Sequence, residues 1–141
     1  LMYRINEGTL DLPRDWADRS INVVASNPTG AGASLTITRD DMPWGMSFDE
    51  YVDEQTKQAA KALKNFEVIE RRSLDLAGVP ATEIESRWIA KQGPIHQLIT
   101  TVQNGRRVLI LTASLGGEMS ESQKTEMRRI VATLRLERTE G

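Results

Sequence analysis

The sequence predicts an α+β domain: an antiparallel sheet of about seven strands with two helices on one face. Three observations point there. Two capping boxes, Ser47 with Glu50 and Ser120 with Gln123, each open an amphipathic run of helical period. Short β-branched or alternating segments, ASLTITR at 33–39 the clearest, fill most of the remaining chain. Between two such segments, Asn104-Gly105 is a hairpin signal, because a type I′ turn wants φ > 0 at both central residues.

In chain order, YRINEGTLDLP (3–13) is one strand or two half-strands, ended by Pro13. SINVVAS (20–26) is a β-branched strand closed by the turn NPTGAG. ASLTITR places Leu35 and Ile37 on one face and Ser34, Thr36 and Thr38 on the other. The first helix is SFDEYVDEQTKQAAKALK, with Ser47 as its cap. Met46 and Tyr51 occupy the positions of a hydrophobic staple, and Phe48, Val52, Ala59, Ala62 and Leu63 turn inward. Strands follow at 66–76, 81–90 and 95–103, the first two separated by the turn AGVP at 77–80. RVLILTASL (107–115) is apolar on both faces, whereas an antiparallel strand with a wet back alternates; this strand is expected to be covered on both sides. The second helix runs from Ser120 to about Leu136, with Met127, Ile130, Val131 and Leu134 on one face. With both helices on one face, a dimer partner, a client or the sheet's own curvature must cover the other.

At 141 residues the chain is expected to form a single domain, residues 2–141, with its own core. Leu1 ahead of Met2 reads as an expression scar or an alternative start. With 39% hydrophobic residues, 27% charged residues and a net charge of −2, the chain lacks the basic surplus of a nucleic-acid binder. There is no cysteine, so disulfides and thiolate metal sites are excluded. The start LMYRINEGTLDLP lacks a signal-peptide pattern, and no apolar run approaches the roughly 20 residues that span a bilayer. The expected location is the cytoplasm, with the protein not itself in the membrane.

Few residues invite catalysis. His96, the one histidine, lies in a strand near the apolar Ile95 and Leu98, and no nucleophile elbow accompanies it. The carboxylates Asp40, Asp41, Asp49, Glu50, Asp53 and Glu54 read as a loop and a solvated first helical turn, without the glycine and ligand spacing of a calcium loop. GAG at 30–32 joins two strands and opens no helix, so it is a turn and not a phosphate cradle. Glu70, Arg71 and Arg72 read as a solvated strand face. No enzyme activity, cofactor or metal is expected. What stands out is apolar surplus on a turn: MPWGMSFDEY crowds Met42, Trp44 and Met46 around Pro43 and Gly45. Trp44 either caps the open end of the core or belongs to a binding surface.

YRINEGTLDLP and DWADRSINVV near the start, then DMPWGMSFDEYVDEQ, LAGVPA and RVLILTAS, together resemble the DcrB-like family. Within it they are most similar to the Eag chaperones of type VI secretion systems, in order and over essentially the whole length. The resemblance implies a PsbP-like sandwich, a cytoplasmic homodimer and no catalysis. It also implies binding of the N-terminal transmembrane region of a secreted effector of the Rhs type carrying a PAAR domain, held soluble and passed to the VgrG spike. Carried over to this chain, the client surface is assigned to Ile21, Val23, Leu35 and Ile37, with Gln58, Gln97 and Gln103 as polar contacts. Alternation separates Ile21 and Val23 from Asn22 and Val24 without saying which pair faces the groove; the first pair is favoured. Met42 and Trp44 are placed at the dimer interface or groove rim. Ala25, Thr36 and Thr101 depart from a uniformly apolar groove. A soluble carrier of a small apolar ligand is the alternative, and a pocket walled off by the protein's own helices would favour it.

Overall fold

Strands and helices alternate much as the periodicity implies in the computed structural model, which describes residues 1–29 and 32–137. The strands are β1 Met2–Ile5, β2 Gly8–Asp11, β3 Asn22–Ala25, β4 Ser34–Asp41, β5 Glu67–Leu76, β6 Val79–Ala90, β7 Gly93–Asn104 and β8 Arg107–Gly116; the helices are α1 Phe48–Ala62 and α2 Glu121–Ala132. The fold is α+β. Residues 3–13 take the two-half-strand alternative: β1 and β2 form a separate hairpin, while the other six strands make one antiparallel sheet in the order β3-β4-β8-β7-β6-β5. The main sheet thus has six strands in place of about seven. The turn expected at 27–32 lies partly outside the described residues.

Both capping boxes form: Ser47 accepts from the Glu50 N–H and Ser120 from the Gln123 N–H, and each partner side chain reaches back to the cap. α2 ends earlier than Leu136. Thr133 caps it, and Leu134 bonds back to Val131 in a tighter turn, so Leu134 and Leu136 pack on the core from outside the helix.

The placement of the helices corrects the expectation that both share one face. Alternate residues of a strand point to the same side, and the register puts Leu35, Ala113, Leu98 and Glu85 in one row across the sheet. Val131 and Met127 of α2 pack on this side, in clusters with Leu76, Val102, Leu111, Leu98 and Ala113. α1 meets the other side: the Tyr51 hydroxyl donates to Asp40 (2.7 Å) and Asp53 pairs with Arg71, both on the face of Thr36, Thr112 and Ile84. One helix on each face explains β8, which lies between β4 and β7 and buries Val108 on the α1 side and Leu111 and Ala113 on the α2 side. Its doubly apolar sequence was the better guide to the layers.

The hairpin between β7 and β8 also differs from expectation. Asn104 stays in the strand, opposite Arg107, and the turn is Gly105-Arg106, with positive φ at Gly105 only, the II′ pattern. Both φ angles are positive instead at Ala77-Gly78, between β5 and β6. Alanine there carries a left-handed backbone at φ 53°, which costs roughly 1–2 kcal/mol. Ala77→Asn creates the favoured Asn-Gly pair and is expected to raise stability by about 1 kcal/mol in urea unfolding. An unchanged midpoint would mean that the turn relaxes around alanine.

The open sheet face and the buried network behind it

α1 covers only part of its side of the sheet. It is tied at Asp40, at Arg71 and, just past its end, by the Ile89 N–H donating to the Lys64 carbonyl (2.8 Å). Thr82, Ile84, Ser86, Thr101 and Val108 are buried on that side. Beyond them the same face runs out through Ile99 and Thr112 to Thr36 and then Val23, each opposite the next in register. Ile99, Thr112 and Thr36 are only half-buried, and Val23 on the edge strand is 64% exposed. The neighbouring row, Gln97, Ser114, Ser34 and Ala25, is small and polar. The open face therefore interleaves hydroxyl and amide groups with isolated aliphatic side chains. It can make dispersion contacts and still offer hydrogen bonds to a backbone laid upon it.

The expected client residues divide between the two faces. Ile21 and Val23 are exposed, and Val23 lies on the open face; Val24, 57% exposed, points to the α2 side, beside Met127 and Ile130. Leu35 and Ile37 do not join Val23. They stand opposite Ala113 and Leu111 and pack into the core under α2, because their strand parity is opposite to that of Thr36. Gln97 and Gln103 are both on the α1 side of the sheet by parity, Gln103 opposite the buried Val108. The Gln97 amide ties three strands: its oxygen accepts from the Trp88 indole (3.0 Å) and its nitrogen donates to Ser114 (3.0 Å). Gln103 borders a cleft of about 290 Å³ with Met42, Trp44, Met46 and Arg106. Gln58 is exposed on α1 and donates to Glu54 one turn earlier (3.2 Å), with no sheet partner. Trp44 is 89% exposed, so it does not cap the core; Met42 is half-buried beside it.

On the α2 side, sequence reasoning missed a charged cluster. Glu83 and Glu85 of β6 are both buried. Glu83 accepts from Arg128 Nε (2.8 Å) on α2 and from Arg72 Nε (3.0 Å) on β5, so Arg72 is not simply a solvated strand residue. Glu85 lies 2.7 Å from His96 Nε2 and 3.5 Å from the Lys124 ammonium. The Met119 N–H donates to His96 Nδ1 (2.8 Å). That donation fixes the ring as the tautomer protonated on Nε2, which donates to Glu85. His96 is thus a cross-tie between β7, β6 and the chain entering α2. Among the described residues no group of three histidine or acidic side chains is placed to hold a metal ion.

Burial by itself raises the Glu85 carboxyl, but the His96 hydrogen bond and the Lys124 charge outweigh it and hold the group below its ordinary 4.5. The folded protein therefore binds this proton less tightly than the unfolded chain. The stabilisation is complete above the unfolded value near 4.5 and is lost as pH falls through the lowered native value. The melting temperature is expected to drop on acidification through this window, and less steeply in Glu85→Gln. Equal slopes in the two proteins would assign the acid loss to other carboxylates.

A helix–sheet–helix sandwich with part of one sheet face left open defines an α+β protein of PsbP-like fold. The chain belongs to the DcrB family, whose profile matches residues 7–133. It is 32% identical over 89 residues to "Effector EagT6" of Pseudomonas aeruginosa PAO1, a match spanning 62% of each chain, so this chain covers a little under two thirds of that relative. A protein of unknown function from P. aeruginosa, PA94, has a crystal structure that superimposes with a TM-score of 0.79 at 26% identity, over 99% of this chain and 98% of that one. The solution structure of CyanoP, the cyanobacterial PsbP of Synechocystis sp. PCC 6803, matches with a TM-score of 0.50 at 13% identity, over 80% of this chain and 77% of its own; that likeness is one of fold alone. No helix among the described residues is long and apolar enough to cross a membrane.

Proposed function

We propose that this protein is a cytoplasmic chaperone of the Eag type, which holds the N-terminal transmembrane region of a type VI secretion effector on the open face of its sheet. The observation that carries the proposal is the uncovered half-face from Ile99 through Thr112 and Thr36 to Val23. Kinship with EagT6 over residues of the same family supports it. Apolar surface of a membrane segment costs about 25 cal/mol per Å² in water. Val23, Ile99 and Ile110 offer it an apolar bed. The hydroxyls of Thr36, Thr112 and Ser114, with the free capacity of Gln97, meet backbone groups exposed at small client residues, much as neighbouring helices do in a bilayer. The polar content keeps the empty surface from being a large continuous apolar patch.

In this proposal two copies present their open faces to one client, with Trp44 and Met42 at the dimer interface or rim. The client is of the PAAR-bearing Rhs type and passes to the VgrG spike. No catalytic step or cofactor is required: release follows when the spike or a bilayer offers the client a better-matched environment. The test is co-purification without detergent of the tagged protein with an N-terminal effector fragment, the eluate weighed by light scattering. A soluble complex of two chains with one fragment is expected. A fragment left wholly in the pellet, for effectors encoded beside this protein, would overturn the proposal.

A further inference from the structure

We propose that the protein has a second binding site, between α2 and the sheet, for a small uncharged apolar molecule carrying one hydroxyl or carbonyl oxygen. A cavity of about 340 Å³ opens there, at the lower end of the range for small-molecule sites. Leu76, Leu98, Met127 and Val131 wall it, and Ala113 and Thr100 belong to its floor. The gap has a physical cause. Arg128 spans from α2 to Glu83 and Glu85 on β6, so the helix stands off by the length of two long side chains. The short Ala113 beneath does not fill the space. An apolar hollow of this kind stays dry and holds an apolar body.

Thr100 sets the polar requirement. It stands opposite Leu111 on β8, so its side chain takes the α2 side of the sheet. It is 4% exposed and lines the cavity, yet its hydroxyl has no hydrogen-bond partner among the described residues. A buried hydroxyl left without a partner costs free energy. A ligand oxygen that accepts from it, in a hydroxyl or a carbonyl group, removes that cost. The rim sets the charge. Glu83 is shared by Arg72 and Arg128, and Glu85 by Arg128, Lys124 and the neutral His96. Lys124 also pairs with Glu121, and Glu70 faces Arg72. Each of these charges already has an opposite partner, so an ion of either sign would lose its water and gain none. The ligand is therefore neutral. The site lies across the sheet from the proposed client face, so each can fail without the other.

The test follows the Met127 methyl group by NMR in the intact chain, its signal identified with Met127→Leu. The probes are 2-naphthol, uncharged at neutral pH, with naphthalene and 2-naphthoate for comparison. 2-Naphthol is expected to shift the Met127 signal saturably, and 2-naphthoate to bind at least about tenfold more weakly, because its charge must be desolvated without a partner. Thr100→Val keeps the shape of the floor and removes the hydroxyl. It is expected to weaken 2-naphthol about fivefold, the value of one neutral hydrogen bond, and to leave naphthalene unchanged. Ala113→Leu fills the hollow and is expected to abolish the shift for both neutral probes; Thr100→Val keeps the test open should that variant not fold. Absence of a saturable shift at Met127 overturns the proposal, as does equal affinity for 2-naphthol and 2-naphthoate. An unchanged affinity for 2-naphthol in Thr100→Val, or binding that survives in folded Ala113→Leu, overturns it too.

Discussion

Val23→Asp is expected to abolish client capture while leaving the fold intact, and Val24→Asp, one residue along the same strand, to leave capture unchanged. The pair is informative because the two valines are nearly equally exposed, 64% and 57%, on an edge strand, so the folding cost of either aspartate is similar. That cost is small, at most about 1 kcal/mol from lower strand preference. The difference lies in where the side chains point. Val23 stands opposite Thr36 on the open face; Val24 stands opposite Leu35, beside α2. A carboxylate at Val23 would have to lose its water against an apolar client without a cation beside it to receive it, since Arg39 at this edge takes the other parity and Arg71, which is on that face, lies on the opposite edge strand and is paired with Asp53. Desolvating an unpaired charge costs several kcal/mol even after relaxation, which corresponds to capture weakened by roughly a hundredfold or more. Pull-down of an effector fragment with each variant, alongside thermal unfolding, reads both quantities. If Val24→Asp loses the client and Val23→Asp keeps it, the binding surface is the groove between β3 and α2, and the proposed face is wrong.

That choice of face marks the limit of what was legible in the chain. The helix starts at Ser47 and Ser120 could be read because capping is local: four consecutive residues contain both hydrogen bonds. The alternation of Leu35 and Ile37 with Thr36 could be read for the same reason. Which set faces a helix could not, because it depends on β4 pairing with β8, some seventy residues later, and on α2 folding onto that side. Leu35 and Ile37, apolar and therefore attractive as client residues, are core for that reason. The run at 107–115 did contain the missing information: a strand apolar on both sides requires two covering layers, and it outranked the simpler arrangement of two helices on one face. Nothing local announces Glu83 and Glu85. In ATEIESRWIA they read as the wet side of a strand, and their burial is tolerable only because Arg128, Lys124 and His96 arrive from other elements.

The same network gives the largest effect expected on stability. His96 is 1% exposed and uses both ring nitrogens. His96→Ala leaves the Met119 N–H without its acceptor and Glu85 without its closest donor, both in buried surroundings, and opens a cavity the size of the ring. Each orphaned group costs about 1–3 kcal/mol and the cavity adds to it, for a total of roughly 3–5 kcal/mol. Against a typical stability of 5–15 kcal/mol, that is a large share of the whole. His96→Gln separates the parts. Its amide N–H can still reach Glu85, but Met119 has no acceptor in reach, so about half of the loss should return. The expected order of urea midpoints is wild type, then glutamine, then alanine. A loss below about 1 kcal/mol in the alanine variant would mean that water occupies the vacated site and satisfies both groups. Because His96 pins the entry to α2 and the proposed client face lies across the sheet, the alanine variant held well below its melting temperature should still capture the effector fragment. Loss of capture in a variant that remains folded would show that α2 and the open face are coupled through the sheet, and that the two sides do not act independently.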